Sequence, residues 1–161
     1  MNDRERVRVV DYEPRHRDQF RALNVAWITE YFEMEEPDRW QLDHPDTHII
    51  ALGGHIFIAE SSTGEVVGTS ALLRGEDGGY WLAKMAVAPH ARGRGIGRLL
   101  AVAAIEKARS LGVRQVSLLS NTVLEPAIRL YRSLGFMEAP LPSDTGHARA
   151  NIHMVLDLTA N

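Results

Sequence analysis

The sequence predicts an α/β (α+β) domain, a mixed and mostly antiparallel sheet of six to seven strands flanked by about four helices. Three observations carry that expectation. Apolar runs follow one another between residues 55 and 87, separated only by short turn-forming stretches, which is the pattern of an antiparallel meander. The last of them passes through a glycine- and arginine-rich turn into a helical pattern and on to a further apolar run. A strand–helix–strand unit of that kind is expected to be parallel and right-handed. Helical periodicity is confined to stretches before the meander and after it.

The elements follow in chain order. Val7-Arg8-Val9-Val10 is a short first strand. Pro14 precedes a helix in which Phe20, Leu23, Trp27 and Tyr31 recur at helical spacing and form a core-facing stripe. The acidic segment from Glu33 to Trp40 reads as a second short helix and a loop on a solvated surface. His55 to Glu60 and Glu65 to Leu73 are strands, joined by the turn chemistry of Ser61-Ser62-Thr63-Gly64. Gly75-Glu76-Asp77-Gly78-Gly79 turns into a strand from Tyr80 to Val87, which Pro89 ends because it has no N–H to donate. Gly97, Leu100, Ala101, Ala104, Ile105, Ala108 and Leu111 lie on one stripe of a helix packed on a sheet, with Gly112 closing it. Gln115 to Ser120 is a fifth strand. Pro126 opens a helix with Ala127, Leu130, Tyr131 and Leu134 inward and Gly135 at its end. Phe136 to Leu141 forms a sixth strand broken by Pro140 and Pro142, Ser143 to Ala150 a polar loop, and Asn151 to Leu158 a last strand.

These elements make one domain over residues 7–158, a length sufficient for a self-contained core. The chain has 161 residues, 45% hydrophobic and 24% charged, as soluble globular domains do. A net charge of −3 gives no support to nucleic-acid or anionic-membrane binding, so neither is expected as a partner. There is no cysteine, which excludes disulfides, thiolate metal sites and a cysteine nucleophile. No metal is expected. No secretory leader pattern opens the sequence and no apolar run approaches 18 residues, so a cytoplasmic protein is the default expectation.

The chemistry concentrates in Arg92-Gly93-Arg94-Gly95-Ile96-Gly97-Arg98. This run sits at a helix N-terminus, where unpaired N–H groups and the helix dipole favour an anion. The glycines let the backbone approach a ligand, and three arginines add charge, which suits a phosphate or pyrophosphate. A nucleotide P-loop would need Gly-x-x-x-x-Gly-Lys-Ser/Thr, which is absent. A dinucleotide fingerprint would need Gly-x-Gly-x-x-Gly, whereas the spacing here is Gly-x-Gly-x-Gly. Ligands of open α/β sheets lie beyond the carboxyl ends of parallel strands, here Val87 and Ser120.

Arg92-x-x-Gly95-x-Gly97, preceded by Val87-x-Pro89, resembles the acetyl-coenzyme A loop of the GNAT N-acetyltransferases. Asn121-Thr122 and the run Pro126-Ala127-Ile128-Arg129-Leu130-Tyr131-Arg132-Ser133-Leu134-Gly135-Phe136 resemble the segment that follows the next strand in that family. The resemblance implies the GNAT acyl-CoA acyltransferase fold, with two parallel strands splayed apart at the cofactor site. It implies direct acetyl transfer from acetyl-CoA to a primary amine of a small-molecule acceptor, and, because the family often dimerises, a homodimer. A sensor that binds acyl-CoA without turnover is the alternative of the same fold. Cofactor contacts are implied for Met85, Ala86, Val87, Arg92, Gly93, Arg94, Gly95, Ile96, Gly97, Arg98, Asn121 and Ala127. Asn121 has an equal reading as an Asx turn or helix cap. Tyr131, otherwise a core tyrosine, is implied as the general acid that protonates the departing thiolate.

The base is less defined. Many members carry a Glu on the fourth strand, but Trp81-Leu82-Ala83-Lys84 offers no carboxylate. The acidic segment matches the variable acceptor-binding region of the family. Its second reading is therefore a pocket wall, with Glu33, Glu35 or Asp38 meeting a cationic amine such as a polyamine, amino acid or aminoglycoside. Glu35 is taken as base or amine contact, with Glu33, His153 and water as other candidates. His147-Ala148-Arg149-Ala150-Asn151 keeps the Arg and Asn of a Tyr-x-Arg-x-Asn segment found in a subset of the family, and lacks the Tyr.

Overall fold

The computed structural model describes residues 6–159. Seven strands form one sheet: β1 (Val7–Asp11), β2 (His55–Ser61), β3 (Val66–Arg74), β4 (Tyr80–Val87), β5 (Gln115–Ser120), β6 (Met137–Ala139) and β7 (Ile152–Asp157). Their order is β1-β2-β3-β4-β5-β7-β6, and every pairing is antiparallel except that of β4 with β5. Four α-helices flank it: α1 (Arg17–Tyr31), α2 (Glu36–Asp43), α3 (Ile96–Ser110) and α4 (Glu125–Ser133). Short 3-10 turns at Pro14–His16 and Pro89–Ala91 and a π-helical turn at Asp46–Ile50 complete the elements. Among the described residues no helix is long and apolar enough to cross a membrane.

The alternation of β2 divides the interior into two cores. Phe57 and Ala59 face α3 and α4, packing with Leu100, Ala104, Val116 and Phe136. Ile56 and Ile58 face the other way, onto Phe20 and Ile28 of α1 and Leu42 of α2. Successive strand side chains point to opposite faces, so one run of apolar residues serves both layers.

The expected α1 stripe is shifted. Phe20 is buried, but the fully buried positions after it are Asn24 and Ile28, while Tyr31 is 48% exposed. The reason is a polar anchor. Asn24 donates to the Phe20 carbonyl (2.9 Å) and Thr69 Oγ1 (3.0 Å) and accepts from Trp27 Nε1 (3.1 Å), so a buried amide is fully bonded and occupies a face that apolarity alone would not assign to it. On α3 the stripe begins with Ile96, and Leu111 lies outside it, 41% exposed. On α4 the core takes Ile128 and Tyr131, with Ala127 and Leu134 only partly covered. The sixth strand is shorter than expected because Pro140 cannot extend its ladder.

One irregularity positions the site. Ala71 pairs with Ala83 and Thr69 with Ala86, so Lys84 and Met85 together oppose Ser70 in a β-bulge. Lys84 takes a left-handed φ of +54°. Pairing of β4 with β5 stops at Leu82↔Leu118, just before the bulge, although both strands continue. The two parallel strands therefore splay.

Candidate active site

The splay opens a cavity of about 700 Å³ lined by Ala83 to Val87 on one side and Leu119 to Asn121 on the other. At one end it meets the glycine-rich turn. Gly93 (φ +81°) and Gly95 (φ +78°) hold left-handed conformations, and Gly95 is the N-cap of α3. The first intrahelical bond runs from Leu99 N–H to the Gly95 carbonyl, which leaves the N–H groups of Ile96, Gly97 and Arg98 without intrahelical acceptors. Arg92 and Gly97 line the cavity. Arg98 is turned aside onto Ser133 Oγ (3.0 Å), and the side chain of Ile96 is buried in the core. These features fit a pyrophosphate: amides without helical acceptors, a helix dipole and Arg92 on the cavity lining.

Further along, Met85, Ala86, Val87, Asn121, Ala127 and Tyr131 share the lining. Tyr131 is 7% exposed and meets Phe136 edge to face at 5.8 Å. Burial pushes its phenol up to about 12, so it stays protonated throughout the physiological range. Asn121 closes an Asx turn, accepting from Val123 N–H (2.9 Å), and its Nδ2 donates to the Arg149 carbonyl (2.7 Å). Its amide is thus bonded within the protein while its flank still borders the cavity.

The opposite end holds a buried charge network that connects three distant segments. Asp38, fully buried on α2, accepts two bonds from Arg149 (2.7 and 2.8 Å), one from Lys84 Nζ (3.2 Å) and one from the Glu35 N–H (3.0 Å). Burial opposes ionisation of Asp38 most strongly. The Arg149 hydrogen bonds, the Lys84 charge and the Glu35 amide together outweigh it, and hold the carboxyl well below the usual range. Lys84 is held down by burial, against the pull of Asp38. Glu35 accepts from Arg149 Nη1 (3.1 Å) and from Ala148 N–H (3.0 Å). Arg149 also lies 5.9 Å from the Trp27 ring centroid.

Trp27, Tyr31, Phe32 and Trp81 make the walls at this end, and Lys84, Arg149, Arg74, Asp144 and His147 its polar lining. Glu33 and Glu35 do not border the cavity: Glu33 is exposed elsewhere, and Glu35 stands behind Arg149 and His147. His153 is also outside the lining. It is held by Pro140 O (2.9 Å) and stacks on Trp81 at 5.5 Å, backing the wall. Local sequence does not join Lys84, Asp38 and the aromatic walls, because the contacts span 46 and 111 positions. The local signal was the Arg149 and Asn151 of the loop before β7. Among the described residues, Glu35, Asp38 and His147 bring one donor atom each within 4.8 Å of one another. Arg149 and Lys84 already occupy those carboxylates, and two cations beside them oppose a third.

Comparison with known proteins agrees with this geometry. The Acetyltransferase (GNAT) family model matches residues 18–136. The uncharacterized N-acetyltransferase YjgM of Escherichia coli K12 is 34% identical over 109 residues, which is 65% of this chain and 65% of that protein, less than two thirds of either. An acetyltransferase of the GNAT family from Staphylococcus aureus Mu50 superposes with a TM-score of 0.85 at 19% identity, over 95% of this chain and 99% of that one. A Salmonella typhimurium protein solved with its cofactor acetyl-CoA superposes with a TM-score of 0.76 at 19% identity, over 97% and 96% of the two chains. With the splayed strands, the capped glycine turn and a family match that spans most of the sequence, the chain belongs to the acetyltransferase (GNAT) family.

Proposed function

We propose that this protein transfers the acetyl group of acetyl-CoA directly to a primary amine of a small-molecule acceptor. One observation carries the reading. A single cavity runs from an anion-binding helix start, through the gap between β4 and β5, past a buried tyrosine, to a walled pocket. Acetyl-CoA supplies an acetyl group activated as a thioester. Arg92, Arg94 and the amides from Gly93 to Arg98 would hold its pyrophosphate, and the unpaired edge of Met85 to Val87 its pantetheine arm, with Asn121 and Ala127 opposite. Holding donor and acceptor in one slot makes the encounter effectively intramolecular. The bulge at Lys84 and Met85 turns strand N–H groups out of the ladder, where they can stabilise negative charge on the reacting carbonyl oxygen. Tyr131 holds the proton that the departing sulfur needs.

The pocket also favours a kind of acceptor. Its lining carries Arg74 and a single acidic residue, Asp144, within aromatic walls, while Lys84 and Arg149 are largely buried and already paired with Asp38 and Glu35. An amine with an apolar or aromatic body fits this better than the polycation that the acidic segment implied.

Thermal unfolding with and without acetyl-CoA tests the reading. Ligand at about 100 times its dissociation constant adds about 2.7 kcal/mol to a two-state protein. That upward shift is expected in the parent and is expected to vanish when Arg92→Ala is combined with Gly95→Glu, which removes a cation and puts a carboxylate and left-handed strain at the N-cap. Tyr131→Phe is expected to keep the shift and lose turnover of an amine panel by about 100-fold. A parent without a shift at millimolar acetyl-CoA sinks the reading, and a shift without any turnover leaves the sensor.

A further inference from the structure

The charge network behind the acceptor end includes an imidazole. His147 lies in the loop before β7 and lines the cavity. Its Nδ1 is buried and has no hydrogen-bond partner, although it stands 3.4 Å from Glu35 Oε2 and 3.9 Å from Asp38 Oδ1. A neutral imidazole has one N–H and one lone pair. A ring nitrogen that faces two carboxylate oxygens is the N–H, so the lone pair belongs to Nε2, on a ring that lines the cavity.

We propose that His147 is the general base of this enzyme: its Nε2 takes the proton that an acceptor ammonium must lose, while Glu35 and Asp38 orient the ring through Nδ1. The proposal rests on the acetyltransferase reading. The 3.4 Å approach is longer than a hydrogen bond, as catalytic contacts often are before substrate arrives. Other candidates fail on geometry. Both Glu35 oxygens accept bonds within the protein, His153 is outside the lining, and Lys84 is anchored on Asp38.

Four charged groups face the ring: Glu35 ahead of α2, Asp38 on α2, Lys84 on β4 and Arg149 on the loop of His147 itself. Burial first, then Arg149 and more weakly Lys84, lower its pKa from 6.5; Asp38 and Glu35 pull it up without offsetting them. The imidazole is therefore neutral at pH 7, the state a base requires. An ammonium that becomes an amide loses two protons. His147 takes the first and passes it to solvent, and the freed nitrogen lone pair forms the C–N bond as the C–S bond breaks. Tyr131 protonates the sulfur and recovers its proton from the nitrogen. The sum is amide, free thiol and one proton released.

The test uses the full chain, acetyl-CoA and a panel of primary amines covering arylalkylamines, polyamines, amino acids, aminoglycosides and peptide N-termini. In the parent, kcat/KM is expected to fall on an acid limb below pH 6.5. In His147→Gln it is expected to drop about 100-fold at pH 7 and to climb with pH as free amine becomes available. The melting-temperature rise with CoA stays unchanged in the variant. NMR of the parent imidazole is expected to show the Nδ1–H tautomer titrating below 6.5. An Nε2–H tautomer overturns the proposal, as does a variant that keeps activity within twofold or loses it equally at every pH. Parent turnover with either outcome leaves the acetyltransferase reading standing. No turnover of any amine by the parent takes down both.

Discussion

Asp38 shows how much a single side chain can organise. It is fully buried and neutralised by Lys84 and Arg149, so it ties α2, the bulge of β4 and the loop before β7 to one point. Removing one partner of a buried ion pair leaves uncompensated charge, which costs about 3–5 kcal/mol. Asp38→Ala is expected to lose stability in that range by urea unfolding, and the cost with Arg149→Ala added is expected to be well short of the sum, because the two changes share one interaction. The pH dependence follows from the depressed carboxyl. Its folded pKa lies below the ordinary value, so the unfolded chain binds protons first, and stability rises with pH across that interval. The contribution is complete above about pH 4, the unfolded carboxylate range, and fades as pH falls through the folded value. The acidic segment was legible in sequence as a segment with two fates, a solvated surface or a pocket wall. Neither describes Asp38, because what buries it is a guanidinium 111 residues away, and no local pattern encodes such a distance.

At the scale of elements, the helix that presents the glycine turn is set by its fit on the sheet. α3 lies over β3 at Gly68, where an added Cβ would stand 2.8 Å from Leu100 Cδ1, 3.1 Å from the Ala86 carbonyl and 3.2 Å from Ile96 Cγ2. Gly68→Val is therefore expected to cost about 1–3 kcal/mol as an overpacked contact. Since Ile96 and Leu100 belong to the first turns of α3, the lift acts where the anion site begins, and acetyl-CoA affinity measured by calorimetry is expected to fall with stability. Affinity unchanged beside a loss of stability would mean that the turn holds its shape independently of the helix. This part of the fold was readable in advance. The strand from Tyr80 to Val87, the helix after it and the strand from Gln115 to Ser120 match because an apolar run, a glycine-rich turn and a period of 3.6 succeed one another without interruption. The shift on α1 has the opposite cause, since Asn24 is buried by its hydrogen bonds and carries no apolar signal.

For the molecule as a whole, the sheet has a seam. β1 to β4 and β5 to β7 are two antiparallel groups, joined across the sheet by three residue pairs from Tyr80↔Val116 to Leu82↔Leu118. Beyond Leu82 the β4 backbone is an internal edge whose N–H groups on the β5 side lack a ladder partner. Sequence order showed that these strands are parallel neighbours. It did not show where they part, because that depends on the bulge at Lys84, and an ordinary lysine does not announce a left-handed φ. The seam makes a prediction about dynamics that is separate from catalysis. Backbone amides protected by β3 or β2 already exchange only through large openings, whereas those of Ala83 to Val87 that face the gap are expected to exchange rapidly in the free protein. A pantetheine arm bonded along this edge replaces the missing strand, so acetyl-CoA is expected to slow exchange selectively from Ala83 to Val87 and at Leu119 to Asn121, with little change in β1 to β3. Uniform slowing across the sheet would mean instead that ligand acts through global stability alone, and that the arm does not lie in the gap.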